Sequence, residues 1–531
     1  MRITVPQGVT VYYISEEGND ENNGLSEERP WRTVVPLNTI RTFGPGTWIL
    51  FRGGDHFKGG LFITMNGTSQ APCLISSYGN GKAEITDHMI PDLSLILLYD
   101  SQYVTVNNLK ITGAPGTNYP GPDFKPGNPR SYGLDIRKSD PGSMYFESIT
   151  VDNVEFRNSY GGLWIGADCC PNQKGYNNVR ITNCLFEDVY QWGFRVYGYG
   201  VLNGGPVDQF TNVYIGKNVF RNIKGDPNFP SEAQPISVFN TTGTVIERNL
   251  LINNCGIGGM SAGTPNGGSA ALCVNNVRNF KILYNVITGT TSVTHYDGCA
   301  IDVDQDSLNG EVAFNLTYSN NGPSIQWGSF KDRITGNMDI HHNISINDVR
   351  GCTPGSQQGT IRPWAWGTGD VENVRVFNNT VYVDGKDIQG TPSCVSFDWK
   401  TPKNHLFFNN IFKATGPVRI LQTVDVMQID SSTKFFGNCY DVEDNSLITD
   451  TGDAKMVTAY AGLGSLSSFD PAFCLLPEKI EQFALADLPA GSPCISAAID
   501  PWPYAAADVI KKDFHGNTSP IVNIGASNTN K

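Results

Sequence analysis

Between Val104 and Val442 the chain repeats one short pattern, in which apolar and polar positions alternate over four to six residues and break at an asparagine. Aligned on that residue, the segments read VTVNNLKI (Asn108), ITVDNVEF (Asn153), VRITNCLF (Asn183), VYIGKNVF (Asn218), VIERNLLI (Asn249), KILYNVIT (Asn285), VAFNLTYS (Asn315), DIHHNISI (Asn343), VFNNTVYV (Asn379), FFNNIFKA (Asn410) and KFFGNCYD (Asn438). The spacing averages about 33 residues, a length also used by helical repeats, but the period-two alternation and the β-branched and aromatic content predict strands. Each asparagine is expected at a tight corner, where it accepts a left-handed backbone and its amide bonds to the asparagine of the next coil. A further strand set precedes these corners. Three strands per coil make an all-β solenoid.

A second pattern runs in step with the first: LDIR from Leu134, LWIG from Leu163, FRVY from Phe194, ISVF from Ile236, LCVN from Leu272, IDVD from Ile301, IQWG from Ile325, IRPW from Ile361, VSFD from Val395 and VRIL from Val418. Alternate residues of a strand face opposite sides, so the second and fourth members are expected on the solvent face. The first outward column is then Asp135, Trp164, Arg195, Ser237, Cys273, Asp302, Gln326, Arg362, Ser396 and Arg419. The second is Arg137, Gly166, Tyr197, Phe239, Asn275, Asp304, Gly328, Trp364, Asp398 and Leu421. Carboxylates, guanidiniums and aromatic rings recur along it at roughly the scale of a sugar ring, about 4.8 Å between coils.

Composition supports this reading. Only 17% of residues are charged, against roughly 25% in typical domains, while 57 are Gly and 11% aromatic, which argues against both a helical and a disordered chain. The balance of 38 basic and 51 acidic residues, net −13, excludes a nucleic-acid partner that would need clustered Lys and Arg. No apolar run approaches the roughly 20 residues that cross a bilayer, and the opening MRITVPQGVTVYYIS has no signal-peptide core. Cys184 and Cys439, each following an Asn, are expected to be small core residues, whereas the adjacent Cys169 and Cys170 leave one disulfide open.

With these repeats in hand, the chain resembles the right-handed parallel β-helix proteins, the pectin-lyase-like group of carbohydrate-active enzymes and phage tailspikes. YYISEEGNDENNGLSEERPWRTV and FGPGTWILFRGGDHFKGG look like that group's N-terminal cap, with a short helix near Trp31 to Leu37. LPAGSPCISAAIDPWP and FHGNTSPIVNIGA resemble the closing segment of its secreted members. The resemblance implies an N-terminal cap over residues 1–60, a parallel β-helix over 61–450, and a C-terminal cap and tail over 451–531, in a secreted or periplasmic monomer. The fold alone does not give the reaction.

The reaction is sought in HYDGCAIDVDQDSLNG, where Asp297, Asp302, Asp304 and Asp306 crowd within ten residues beside His295. Such carboxylates repel one another until a proton, a cation or a substrate relieves them. In a glycoside hydrolase, Asp302 and Asp304 would share the outward face at about 6.5 to 7 Å, within the range of an inverting acid and base pair, with Asp297 as a third catalytic carboxylate. His295, Arg195, Trp164, Tyr197, Gln326, Arg362, Trp364 and Asp398 would hold the carbohydrate. This hydrolase needs no cofactor or metal. The alternative is a polysaccharide lyase in which the carboxylates bind Ca²⁺ and Arg195, Arg362 or Lys400 removes the proton α to a uronate carboxylate. A tailspike-like or adhesin module that binds glycan without cleaving it is the third reading. Of His341 and His342, one is expected to face outward. The N-x-S/T matches at Asn66, Asn240, Asn315, Asn343, Asn378 and Asn517 are expected by chance. Long insertions from Gly113 and Met260 are expected to wall the binding face.

Overall fold

The computed structural model describes residues 4–442, apart from 59, 87–93, 114–131, 168, 201–204, 226–232, 257–259, 262–263, 266–268, 293–296 and 425–429, together with 513–515 and 526. His295, Asn517, most of the insertions that begin at Gly113 and Met260, and nearly all of the expected C-terminal cap lie outside the described residues. The chain divides into two compact units, Met1–Thr244 and Val245–Lys531. Among the described residues no helix is long and apolar enough to cross a membrane.

Both units are stacks of parallel strands, three to a coil, and the fold is the parallel β-helix expected from the repeats. In the first unit the stripe strands Ile96–Tyr99, Tyr132–Arg137, Gly161–Ala167, Trp192–Gly198 and Gln234–Thr242 pair in succession, all parallel. Two further columns complete each coil, one through Phe146–Asp152 and Tyr176–Thr182, the other through Glu155–Arg157 and Leu185–Glu187. In the second unit the stripe runs through Ala270–Leu283, Cys299–Val303, Ile325–Phe330, Gln357–Trp366, Thr391–Asp398 and Arg419–Val424. The inward residues Ile136, Ile165, Val196, Ile301, Val303 and Val395 are fully buried. Identical positions stack on one another inside, as in Phe156–Phe186–Phe220 with centroids 4.7 and 4.5 Å apart. Each such side chain contributes roughly 1.5–3 kcal/mol through removal of apolar surface from water.

The structure corrects several local expectations. The short helix is Val35–Ile40, later than Trp31 to Leu37, because Pro36 suits the first helical turn, where no backbone donor is needed. The asparagine corners are shifted by one residue from Asn218 onward. There the left-handed residue is the one before the aligned asparagine, at Lys217, Arg248, Tyr284, Phe314, His342, Asn378 and Asn409, while Asn108, Asn153 and Asn183 take that conformation themselves. The aligned asparagines of the second unit turn inward as a ladder. The Asn249, Asn285, Asn315, Asn343, Asn379 and Asn410 amides each donate to the Oδ1 of the next, ending on Asn438, at 2.9–3.0 Å.

Cys184 therefore occupies a ladder position, its N–H donating to Asn218 Oδ1 at 2.9 Å, whereas Cys439 pairs with Ile411 one residue further on. Both are buried core residues, but at different places in the coil. His341 and His342 are both buried, so neither faces outward; their Nδ1 atoms lie 2.8 Å apart between the rings of Phe314 and Phe377. Burial of Asn240, Asn315, Asn343 and Asn378 removes those N-x-S/T matches from reach of a glycosylating enzyme.

Candidate active site

The stripe has the register read from the alternation. In the first unit Asp135 lies beside Trp164, and Trp164 beside Arg195; in the second, Cys273 lies beside Asp302, Asp302 beside Gln326, and Gln326 beside Arg362. The last coil departs: Ser396 pairs with Gln422, and Arg419 sits beside Ser393, three residues out of the expected register. The face is also less open than expected. Asp135, Trp164, Arg195, Asp302, Gln326, Arg362 and Asp398 are all buried.

In the first unit the reason for that burial is mutual cover. The Arg195 guanidinium sits 4.4 Å from the Trp192 ring, 4.7 Å from Tyr197, 5.0 Å from Phe239 and 5.6 Å from Trp164. Tyr132 and Tyr197 flank Trp164 at 5.1 and 5.2 Å. The rings thus shield one another around a cation, and half-buried Tyr197 is the expected sugar-binding ring left in partial contact with solvent. Trp164 can lie flat because its neighbour is Gly166, where a Cβ would meet the indole nitrogen at 2.3 Å.

In the second unit the carboxylates are relieved in different ways. Asp306 leaves the cluster to accept from Arg278 Nη2 at 3.1 Å. Asp304 accepts hydrogen bonds from Asn275 Nδ2 at 2.9 Å and from the Gln305 backbone N–H at 2.8 Å. Asp302, on the strand Cys299–Val303, is held well above the usual carboxylate range by burial first, then by the charges of Asp304 and Asp297. A hydrogen bond from Gln326 and the charge of Arg362 oppose that rise. Its Oδ1 is buried and has no hydrogen-bond partner among the described residues. The strand and the turn that follows it therefore set a proton-holding carboxyl two residues from a carboxyl held by fixed donors.

Arg362 Nε donates to Asp398 Oδ2 at 2.6 Å, and its Nη1 to Gln326 Oε1 at 3.2 Å. Burial lowers the pKa of Arg362, but the charge and hydrogen bond of Asp398 and the charge of Asp297 more than offset it, so the guanidinium stays charged. Lys400 turns away to the Gly369 carbonyl at 2.7 Å. Trp364 lies across Gly328, where a Cβ would come within 1.8 Å of the ring, and packs edge-on to Trp399 at 6.1 Å. Trp366, two residues on, is 61% exposed. Asp297, Asp302, Asp304, Gln326, Arg362, Trp364 and Asp398 thus belong to one unit, and Trp164, Arg195 and Tyr197 to the other. The support of Asp304 by Asn275 was missed as a site contact, although Asn275 is its predecessor in the second outward column.

No family model matches the chain. A lacto-N-biosidase from Bifidobacterium longum subsp. longum is 24% identical over 487 residues, covering 77% of this chain and 29% of the relative. This chain therefore spans less than a third of that curated relative's length. The crystal structure of GH136 lacto-N-biosidase from Eubacterium ramulus superposes with a TM-score of 0.51 at 19% identity, over 72% of this chain and 65% of that one. That likeness supports the fold.

Proposed function

We propose that the protein is a glycoside hydrolase acting on an oligosaccharide or polysaccharide, with Asp302 as proton donor and Asp304 as its partner carboxylate. The observation that carries the reading is the contrast between these two groups, two residues apart at the end of one strand: a buried carboxyl disposed to keep its proton, and a carboxyl that accepts from fixed donors. The similarity to a protein named lacto-N-biosidase, spread over 77% of the chain, supports the same reaction class and makes that activity the first to assay. Asp302 would protonate the glycosidic oxygen while Asp304 activates a water, the route favoured by the i, i+2 spacing. Asp297 acts electrostatically, keeping the proton on Asp302. Trp364, on the same unit as both carboxyls, would contact the sugar. The reading needs no metal, and we place the enzyme outside the cytoplasm as a monomer, which light scattering would check.

The lyase reading is weaker because Arg362 is charged and bonded to Asp398, and Lys400 is bonded to a carbonyl, so neither is poised to take a proton. The decisive experiment compares Asp302→Asn, Asp304→Asn and Asp297→Asn. The first two should each lower kcat by about 10² or more with circular dichroism unchanged, and the third should lower it less. If Asp297→Asn matched Asp304→Asn while Asp302→Asn stayed active, the pair would be Asp297 and Asp304. Retention of anomeric configuration, read by proton NMR early in the reaction, would make Asp304 a nucleophile instead. A glycan-binding module would bind and cleave nothing.

A further inference from the structure

Four side chains on four successive coils of the second unit form a chain of contacts: Asp302, Gln326 and Arg362 are stacked by the parallel register, and Asp398, in register with Trp364, is reached diagonally by the Arg362 guanidinium. An amide side chain offers an oxygen at one end and a donor at the other, and by itself could point either way. Arg362 removes that choice. A guanidinium only donates, and its Nη1 meets Gln326 Oε1 at 3.2 Å, so the Gln326 oxygen must face Arg362 and its NH₂ must face Asp302, to which it is hydrogen-bonded. Arg362 is in turn held by the 2.6 Å bond from its Nε to Asp398 Oδ2, a pair buried on both sides.

The consequence falls on the position of one proton. An NH₂ group bonds to an oxygen lone pair, and the carbonyl oxygen of a neutral carboxyl is a better acceptor than its hydroxyl oxygen, so the Asp302 oxygen facing Gln326 is favoured as the carbonyl and the hydrogen is favoured on the other. That other oxygen is Oδ1, which is buried and has no hydrogen-bond partner among the described residues. We propose that Arg362 and Asp398 are positioning residues that orient the Gln326 amide, so that the proton of Asp302 is carried on Oδ1, with no acceptor among the described residues, and is available to a substrate oxygen. With the amide reversed, Gln326 Oε1 would accept the Asp302 hydrogen and hold it out of reach, while its NH₂ would oppose the donors of Arg362. Among the described residues, the charged and titratable groups around Asp302 are Cys299 on its own strand, Asp304 just past that strand's end, Asp297 before it, Cys273 on the preceding coil, and Arg362. The placement of the proton stands on geometry; only its catalytic use rests on the hydrolase reading.

The test replaces the guanidinium and its counter-charge together, Arg362→Met with Asp398→Leu, so that no carboxylate is left buried alone. Two readouts are taken on the full chain. Difference infrared spectra against Asp302→Asn report the carboxylic C=O stretch of Asp302, and kinetics report kcat and KM separately. In the wild type the band should have the high frequency of a carboxylic acid whose O–H is unbonded. In the double variant it should move to lower frequency, as the O–H donates to a reversed Gln326, with kcat lower by about 10-fold or more and KM within about twofold. Arg362→Lys, still donor-only, should keep the wild-type band and most of kcat, and Gln326→Met, with no amide to accept, should keep the high-frequency band. Should the double variant fail to fold, Arg362→Gln with Asp398→Asn replaces it with the same expectation. An unmoved band in the folded variant, or a raised KM with unchanged kcat, would overturn the proposal and make Arg362 a substrate ligand. If no glycan is cleaved, the hydrolase reading fails and the infrared band alone decides the proton's place.

Discussion

Buried titratable residues outside the site also constrain this protein, and two of them oppose each other. Asp348 is fully buried, its carboxylate accepting from Asn320 N–H and Nδ2, Thr317 Oγ1 and Ser345 Oγ. Burial pushes its pKa up to about 6, with those hydrogen bonds pulling the other way. Because the folded state then binds the proton more tightly than the unfolded chain, the stability Asp348 contributes is full below about pH 4 and is lost as pH rises through about 6. His405 works in the other direction. It accepts from Trp327 Nε1–H at 3.1 Å and donates from Nδ1 to the Lys403 carbonyl at 2.9 Å, and burial lowers its pKa to about 4. Its neutral form stabilises the fold above about pH 6.5, and that contribution is lost as pH falls toward about 4. Asp348→Asn should therefore flatten one slope and leave the other: its unfolding free energy, relative to wild type, should increase steadily from pH 4 to pH 6.5, by a span of order 2–3 kcal/mol, with Tm following it. A Tm difference independent of pH would show that Asp348 does not titrate in that window.

At the level of the element, the asparagine ladder ties the coils of the second unit together through the core. Asn315 is typical: its Oδ1 accepts from Asn285 N–H and Nδ2, and its Nδ2 donates to Asn343 Oδ1 and to the Ile282 carbonyl. Removing it strands buried donors on one side and acceptors on the other, each costing about 1–3 kcal/mol. Asn315→Ala should lose roughly 3 kcal/mol or more in urea titration, and Asn315→Asp at least as much near neutral pH, because a buried carboxylate would face two acceptor oxygens. The ladder also shows where the alignment was legible and where it failed. Doubled asparagines such as Asn378–Asn379 and Asn409–Asn410 put the same residue at the left-handed corner and at the inward rung, so composition could not separate the two. The stripe register was legible because each coil keeps the same apolar frame, and it placed Asp302, Gln326 and Arg362 side by side. It failed at Arg419, where the match to that frame lies three residues from the true pairing. The cover over the stripe was not legible, since whether Arg195 is open or caged depends on four rings brought from three different strands.

At the level of the whole molecule, the class of reaction gives a direct expectation. The hydrolase reading predicts that EDTA leaves activity unchanged and that no absorbance develops near 235 nm, because no unsaturated uronate forms; reversible loss with EDTA would transfer the site to calcium-assisted elimination. The stacking of coils bears on a different property. Ladder partners are only 28–36 residues apart along the chain. Set against 531 residues, that separation is roughly 0.06 of the length, a value closer to helical bundles than to β-sandwiches. Each strand therefore meets its partner soon after it is made. Growth can start at whichever coil closes first and advance one rung at a time, so loop closure is repeated cheaply rather than met once across a long span. An all-β chain with such near neighbours can assemble progressively as it emerges from the ribosome, with the newest rung serving as the template for the next.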